Sequence, residues 1–421
     1  MRTVLILFLV FSTAAHAEQF RGYTLEEADA FHRLWTIDNW DEGGPLMRYV
    51  FLNMSEFWNH SVIDRGGPVR ELPDARRDDV ATFITRTGAG AMTLRDYVDA
   101  STVNGAVVVH RGNIVFEAYP RMLATDKHLH MSLSKPFAST LIAILEDREL
   151  IDVTKAVDSY LPELEGSGWD GVPIRDVLDM ASGIGCLEGE DGAYTDPSTC
   201  YYQFEAALGW LRPAADSPDD PYAYTASMQS HRPAGEAFEY TSPDTFVLGW
   251  LVERLTGRPL ADVLATEIWQ RIGAEADAVV AAPRRGIPLV HAGISSTLRD
   301  VARFGLLFTP SGRGGLEPVV SDDYLDDIQH GGRPEIFRAA RGEDAGFVDG
   351  EPARHNSYQW DLVMADGDFF KGGYGGQGLY ISPSRDLVIA YFATFDADRD
   401  GHEMLHVARQ LAKSGLFDPD Q

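Results

Sequence analysis

The chain of 421 residues reads as an α+β protein: one antiparallel sheet built from both chain ends, flanked by helices, around a mostly helical inserted lobe. Three observations predict this. Residues 105–117 form two short β-runs about a Gly112-Asn113 turn. Residues 378–382 and 387–392 form a second pair of runs near the C-terminus, joined by Pro383-Ser384-Arg385-Asp386. Between the two pairs, residues 152–286 show mostly helical and loop patterns.

The elements follow in chain order. Met1-Arg2-Thr3, an apolar run from Val4 to Ala15, and Ala15-His16-Ala17 read as a secretory signal peptide over 1–17. The run is shorter than the ~20 residues that span a bilayer, and no cysteine follows it to carry a lipid. An exported protein is expected, periplasmic or secreted, with no stable membrane anchor. Residues 18–90 form an aromatic-rich N-terminal extension in which Asp74–Asp79 is a charged linker. Residues 91–150 and 287–421 are assigned to the sheet lobe, and 151–286 to the helical lobe. Thr93 caps a short helix before the first hairpin, and Pro136–Leu150 reads as a helix with one apolar side. Asp216–Tyr224 reads as a surface loop. Asp244–Thr256 reads as an amphipathic helix stopped by Gly257, and a closing helix is expected from His402 to Lys413.

Composition narrows the partners. A formal net charge of −28 repels nucleic acid and anionic membrane surfaces, while 44% hydrophobic and 11% aromatic residues exclude an acidic disordered chain. The two cysteines, Cys186 and Cys200, flank a Gly/Asp-rich loop. In an exported chain such a pair is expected to close a disulfide, with two free thiols the alternative.

Ser132-Leu133-Ser134-Lys135 is the only Ser-x-x-Lys of the chain. It falls between a β-hairpin and a helix, with the lysine one turn beyond the serine on the same face. A helix start offers free N–H groups to an oxyanion, and a neutral amine can take the proton of a serine hydroxyl. The alternative is a capping serine beside a solvated lysine. Two further segments converge with it: Arg232–Ser242, leading into a helix, and Gly372-Gly373-Tyr374-Gly375-Gly376-Gln377-Gly378, leading into a strand. A strand after those glycines argues against a dinucleotide loop. Asp396-Ala397-Asp398-Arg399-Asp400-Gly401 copies the start of a calcium loop, but its twelfth position is Val407 and a strand precedes it, so an acidic turn is expected. His128 and His130 are read as structure around the serine loop, and no metal or cofactor is expected.

On these residues, together with Val107–Tyr119, Asp179–Ile184, Leu248–Leu260 and Ala292–Gly305, the chain resembles the serine hydrolases that share the β-lactamase and penicillin-binding-protein fold. It looks closest to the branch holding class C β-lactamases, family VIII-type esterases and 6-aminohexanoate-dimer hydrolases, over residues 90–412. The N-terminal stretches Asn53–Phe57 and Ile63–Gly67 resemble the last of these. The resemblance implies Ser132 as nucleophile, Lys135 as its proton partner and Tyr240 as the phenol of the family's Tyr-x-Asn, working as a phenolate if nearby cations favour it. It implies an oxyanion hole from the N–H groups of Ser132 and Gln377. Substrate contacts are implied from Ser242, Tyr374, Gly375 and Gly376, the last three aligned with the family's Lys-Thr-Gly.

Two departures bear on substrate. Ser242 stands in place of the Asn, and Tyr374 in place of the Lys; Lys371, three residues earlier, is expected to be turned away by a bend. Loss of that cation removes a contact to a substrate carboxylate. The reading is an exported serine hydrolase that cleaves an ester or amide of a small neutral or cationic molecule through an acyl-enzyme. The alternatives are a β-lactamase or D,D-peptidase, or a ligand-binding relative without turnover. Tyr194, Tyr201 and Tyr202 are candidate wall residues.

Overall fold

The structure, a computed structural model, describes residues 20–314, 318–341, 346–399 and 401–418. The expected signal peptide lies outside the described residues, as does Asp400. No helix among the described residues is long and apolar enough to cross a membrane.

The sheet is built from both chain ends. Its strands are β1 (Val103–His110), β2 (Asn113–Ala118), β3 (His355–Ser357), β4 (Trp360–Val363), β5 (Phe369–Gly373), β6 (Gln377–Ser382) and β7 (Leu387–Ala393). They pair antiparallel throughout in the order β3-β4-β5-β6-β7-β1-β2, so the last strand bonds to the first. Strand alternation feeds two cores. Val107, Val109, Val388 and Ala390 face one side; Ala106, Val108, Ile389 and Tyr391 face the other. Four helices position the site: α1 (Lys135–Asp147), α2 (Ser242–Thr256), α3 (Leu298–Leu306) and α4 (Met404–Ala412). Helix α3 packs on the first face through Leu298, Val301 and Phe304, and α4 covers the second through Met404, Val407, Ala408 and Leu411.

A second, four-stranded sheet anchors the serine loop. His60–Ile63, Ala278–Ala281, Ile294–Ser296 and His128–Leu129 lie side by side in that order. His128 and Leu129 pair with Ser296 and Ser295, and the His130 N–H donates to Ile294 O at 2.8 Å, so the chain reaches Ser132 from a fixed strand end. Helix α1 is buried on every side from Lys135 to Leu145, and α2 from Ser242 to Val252.

Three expectations are corrected. Ala278–Ala281 is a strand inside the region read as helix and loop, because a four-residue apolar run carries no period that separates strand from helix. The surface loop at 216–224 contains the start of a helix, Pro221–Ser227, capped by Asp220, whose carboxylate accepts from Tyr222 and Ala223 N–H. The charged linker runs along β2: Ala75 and Arg77 donate to Ile114 O and Val115 O, and Ile114 donates to Pro73 O, each at 2.9 Å. It therefore covers what would be an open sheet edge.

The α3–sheet contact has no spare space. A Cβ on Gly305 would sit 2.6 Å from Val388 Cγ1 and 2.9 Å from Ile381 Cδ1. Gly305→Val is expected to lower unfolding free energy by about 1–3 kcal/mol, measured by denaturant titration.

Candidate active site

Ser132 lies in a 3₁₀ turn, Met131–Ser134, that runs directly into α1. Met131 before it has φ of 50°, a left-handed conformation that turns the chain sharply out of the second sheet. One helical turn on, Lys135 is fully buried. Its Nζ donates to Ser132 Oγ at 3.3 Å, Ser242 Oγ at 2.8 Å and His291 O at 3.1 Å. Three acceptors match the three protons of an ammonium. Burial lowers the Lys135 pKa to about 8, and the Lys371 charge adds to this, while Glu188, Glu205 and Asp361 pull it back up.

Ser242, at the start of α2, passes the contact on: its hydroxyl donates to a Glu188 carboxylate oxygen. Glu188 lies on the loop closed by Cys186–Cys200, which are disulfide-bonded. The Thr241 hydroxyl bonds Cys186 O, tying the root of the loop to the segment between Tyr240 and α2. Tyr240 is the third member of the group. Its ring lies 5.2 Å from Lys135 Nζ and 4.6 Å from Lys371 Nζ, and its hydroxyl accepts from Lys371 Nζ at 2.9 Å. Burial raises the Tyr240 pKa well above that of a free phenol, and the Asp361 and Glu188 charges raise it further. This corrects the expected phenolate: burial, with the Asp361 and Glu188 charges behind it, favours the protonated phenol at rest.

Lys371 is the second correction. Strand β5 continues straight through Gly373, and the turn comes only at Tyr374–Gly376. Lys371 and Gly373 therefore share one face. Gly373 lies against the serine turn, where a Cβ would come within 2.3 Å of His130 O, and Lys371 donates to the Tyr240 hydroxyl at 2.9 Å. Lys371 also pairs with Asp361 at 2.5 Å. Lys371, not Tyr374, thus lies beside the reacting group, with Lys371-Gly372-Gly373 running along the site. Tyr374 instead stands at the mouth, its hydroxyl donating to Asp41 O at 3.2 Å.

Gln377 is not brought to the cavity. It is the antiparallel partner of Gly373 on β6, one strand further in, and its side-chain amide donates to Ala393 O at 2.8 Å. Gly375 and Gly376 have φ of 96° and 104° and pack against Met47 and His402. They shape the turn and do not line the cavity.

That cavity measures about 860 Å³ and has Ser132, Tyr240, Ser242, Gly373 and Tyr374 in its wall. Tyr194, Tyr201 and Tyr202 also line it, on the side given by the stapled loop and the helix that follows. The N-terminal extension supplies Asp38, Trp40, Asp41 and Glu42, held in place as Trp40 packs edge-on to Trp210 at 4.9 Å and Asp38 pairs with Arg212 at 2.6 Å. Glu188, Glu205 and Asp361 add carboxylates deeper in. Sequence reasoning missed Glu188, Glu205, His291 and Asp361. Only Glu188 had a local signal, its place two residues after Cys186.

The family described as beta-lactamase matches residues 91–413. The chain belongs to the beta-lactamase family. Within it, the chain is 30% identical over 388 residues to a 6-aminohexanoate-dimer hydrolase of Paenarthrobacter ureafaciens, spanning 91% of this chain and 92% of that protein. A solved Bacillus anthracis structure provisionally described as a 6-aminohexanoate-dimer hydrolase superposes with a TM-score of 0.75 at 24% identity, over 90% of this chain and 95% of that one. A family VIII carboxylesterase shares the fold at a TM-score of 0.57 and 19% identity, over 82% and 99%. The protein is thus a hydrolase of the beta-lactamase family, of the serine type.

The stapled loop generates a prediction. Replacing Cys186 and Cys200 together by Ser removes a cross-link between residues 14 apart. Unfolding free energy is expected to fall by about 3 kcal/mol in denaturant titration, the loop-closure entropy of such a span.

Proposed function

We propose that the protein cleaves an ester or amide bond of a small neutral or cationic substrate through an acyl-enzyme on Ser132, and that it works outside the cytoplasm. The observation that carries the reaction is the buried Lys135 ammonium, held against Ser132 Oγ with its pKa lowered to about 8. A free lysine near pKa 10.5 is neutral in roughly one molecule in three thousand at pH 7; at about 8 the neutral fraction is roughly a tenth. That fraction is a competent base for the Ser132 hydroxyl.

Neutral Lys135 takes the Ser132 proton as Oγ bonds to the carbonyl carbon and the carbonyl π pair moves to oxygen. The oxyanion is received by the N–H groups of Ser132, in the turn at the start of α1, and of Tyr374, the first residue after β5. Among the described residues, no group accepts a hydrogen bond from the Tyr374 N–H. Tyr240, a protonated phenol that accepts a hydrogen bond from Lys371, gives its proton to the leaving oxygen or nitrogen as the C–O or C–N bond breaks, and is reprotonated from Lys135. Water then repeats the sequence on the ester of Ser132, releasing the acid.

Charge supports the substrate class. The wall carries Asp38, Asp41, Glu42, Glu188, Glu205 and Asp361 against Arg212 and Arg399, and the buried Lys135 and Lys371 offset Glu188 and Asp361, so carboxylates remain in excess. An acidic cleft draws cations and repels anions. The expected export rests on the N-terminal pattern, and the Cys186–Cys200 disulfide suits an oxidising compartment.

Two measurements test the reaction. Ser132→Ala is expected to lower kcat/KM on a short-chain p-nitrophenyl ester at least about a thousandfold, as loss of a nucleophile does; retained turnover would overturn the assignment. For the wild type, kcat/KM is expected to rise about tenfold per pH unit below neutrality and to level off above about pH 8, as Lys135 loses its proton. A profile flat from pH 6 to 9 would remove Lys135 as the base.

A further inference from the structure

Lys371 is fully buried under the cavity wall, yet its ammonium donates to the Tyr240 hydroxyl at 2.9 Å, and the Tyr240 ring lies 5.2 Å from the Lys135 ammonium that holds the nucleophile. A lone positive charge there would make the site a receptor for substrate carboxylates. It is not alone. Asp361, on β4, holds Lys371 Nζ at 2.5 Å through one carboxylate oxygen, and its other oxygen accepts the Gly372 N–H at 2.9 Å. Both oxygens are thus oriented by the neighbouring strand, while the carboxylate stays about one-fifth exposed and faces the cavity.

We propose that Asp361 determines the charge preference of the cavity: by neutralising Lys371 beside the reacting centre, it excludes substrates whose acyl chain carries a carboxylate. The proposal rests on the hydrolase reading above and deepens it. Lys135 has its own counter-charge in Glu188, relayed through Ser242, so with Asp361 present each buried ammonium at the floor is balanced. Without Asp361, Lys371 would be an ammonium out of water and short of its counter-ion, a costly state that an incoming carboxylate relieves. At about 6 Å and an effective dielectric of about 20, one unit charge changes anion affinity on the order of a hundredfold, and salt and water reduce this toward tenfold.

The test compares two p-nitrophenyl esters of equal chain length, the hexanoate and the mono-ester of adipate, on the full chain. The readout is the ratio of their kcat/KM values, which cancels any effect of a variant on chemistry common to both. Asp361→Asn is expected to raise the adipate-to-hexanoate ratio by at least about tenfold, chiefly through KM. Asp361→Glu, which keeps the charge, is expected to stay near the wild-type ratio. Adding Lys371→Met to Asp361→Asn is expected to abolish the gain. Should Asp361→Asn not fold, Lys371→Met alone decides: leaving Asp361 unbalanced, it is expected to lower the ratio at least about fivefold. A ratio within about twofold of wild type in Asp361→Asn, or in Lys371→Met where Asp361→Asn does not fold, with turnover still dependent on Ser132, overturns the proposal and leaves the hydrolase reading standing. Absence of Ser132-dependent turnover in the wild type overturns both.

Discussion

The site depends on keeping one lysine out of water. Lys135 is useful as a base only because burial lowers its pKa, and burial of an ammonium is tolerated only where hydrogen bonds replace its hydration shell. Each of its three acceptors comes from a different part of the fold: Ser132 from the turn before α1, Ser242 from the start of α2, and the His291 carbonyl from the approach to the second sheet. Packing α1 on all sides, docking α2 against it and pinning the serine loop to Ile294–Ser296 are thus one requirement. Slackening any of the three would admit water and return the lysine toward its solution pKa.

A second lysine and a second carboxylate repeat the arrangement. Glu188 reaches Lys135 through Ser242, and Asp361 meets Lys371 directly. The two pairs flank the Tyr240 ring, with one ammonium 5.2 Å and the other 4.6 Å from its centre. The phenol therefore sits between balanced charges and keeps its proton until a leaving group needs it. Burial opposes a phenolate first, and the Asp361 and Glu188 charges oppose it further. The replacement of an amide by Ser242 also acquires a physical meaning: a hydroxyl can accept from Lys135 and donate to Glu188 at once, so the short side chain acts as a relay.

What was legible in the sequence was what local spacing determines. Ser132 and Lys135 are one helical turn apart whatever surrounds them, and the hairpin at 105–117 and the strands at 378–392 announce themselves by alternation and turn residues. Tyr240 was legible through the resemblance alone, as the Tyr of Tyr-x-Asn two residues before the helix that Gly257 stops. Lys371 was misjudged because a run with five glycines among seven residues, 372–378, gives no clue to where the strand ends. The assignment to Gln377 followed from the same uncertainty, since the motif shifts along with the turn. Asp361 and Glu205 were beyond reach for another reason. Asp361 meets Lys371 across the register of the β4–β5 hairpin, ten residues on, and Glu205 acts on Lys135 from a distant helix, and no pattern near either residue records it.

The cavity divides its labour along the same line. The reacting groups ride on regular elements whose backbones are fixed by sheet pairing and buried helices: Ser132 and Lys135 at α1, Ser242 on α2, Gly373 on β5. Much of the remaining wall comes from segments held by a few discrete ties. The loop with Glu188 and Tyr194 depends on the Cys186–Cys200 bond and the Thr241 contact to Cys186 O; the strip from Asp38 to Glu42 depends on Trp40 against Trp210, the Asp38–Arg212 pair and the Tyr374 hydroxyl on Asp41 O. Changes in those ties alter the shape and charge of the wall without moving the nucleophile. Asp361 is the exception that joins the two halves: it lies on a sheet strand, yet faces the cavity and balances a lysine that touches the catalytic phenol. Through that residue, the choice of substrate and the protonation of the reacting groups are coupled, so a substitution there acts on both together.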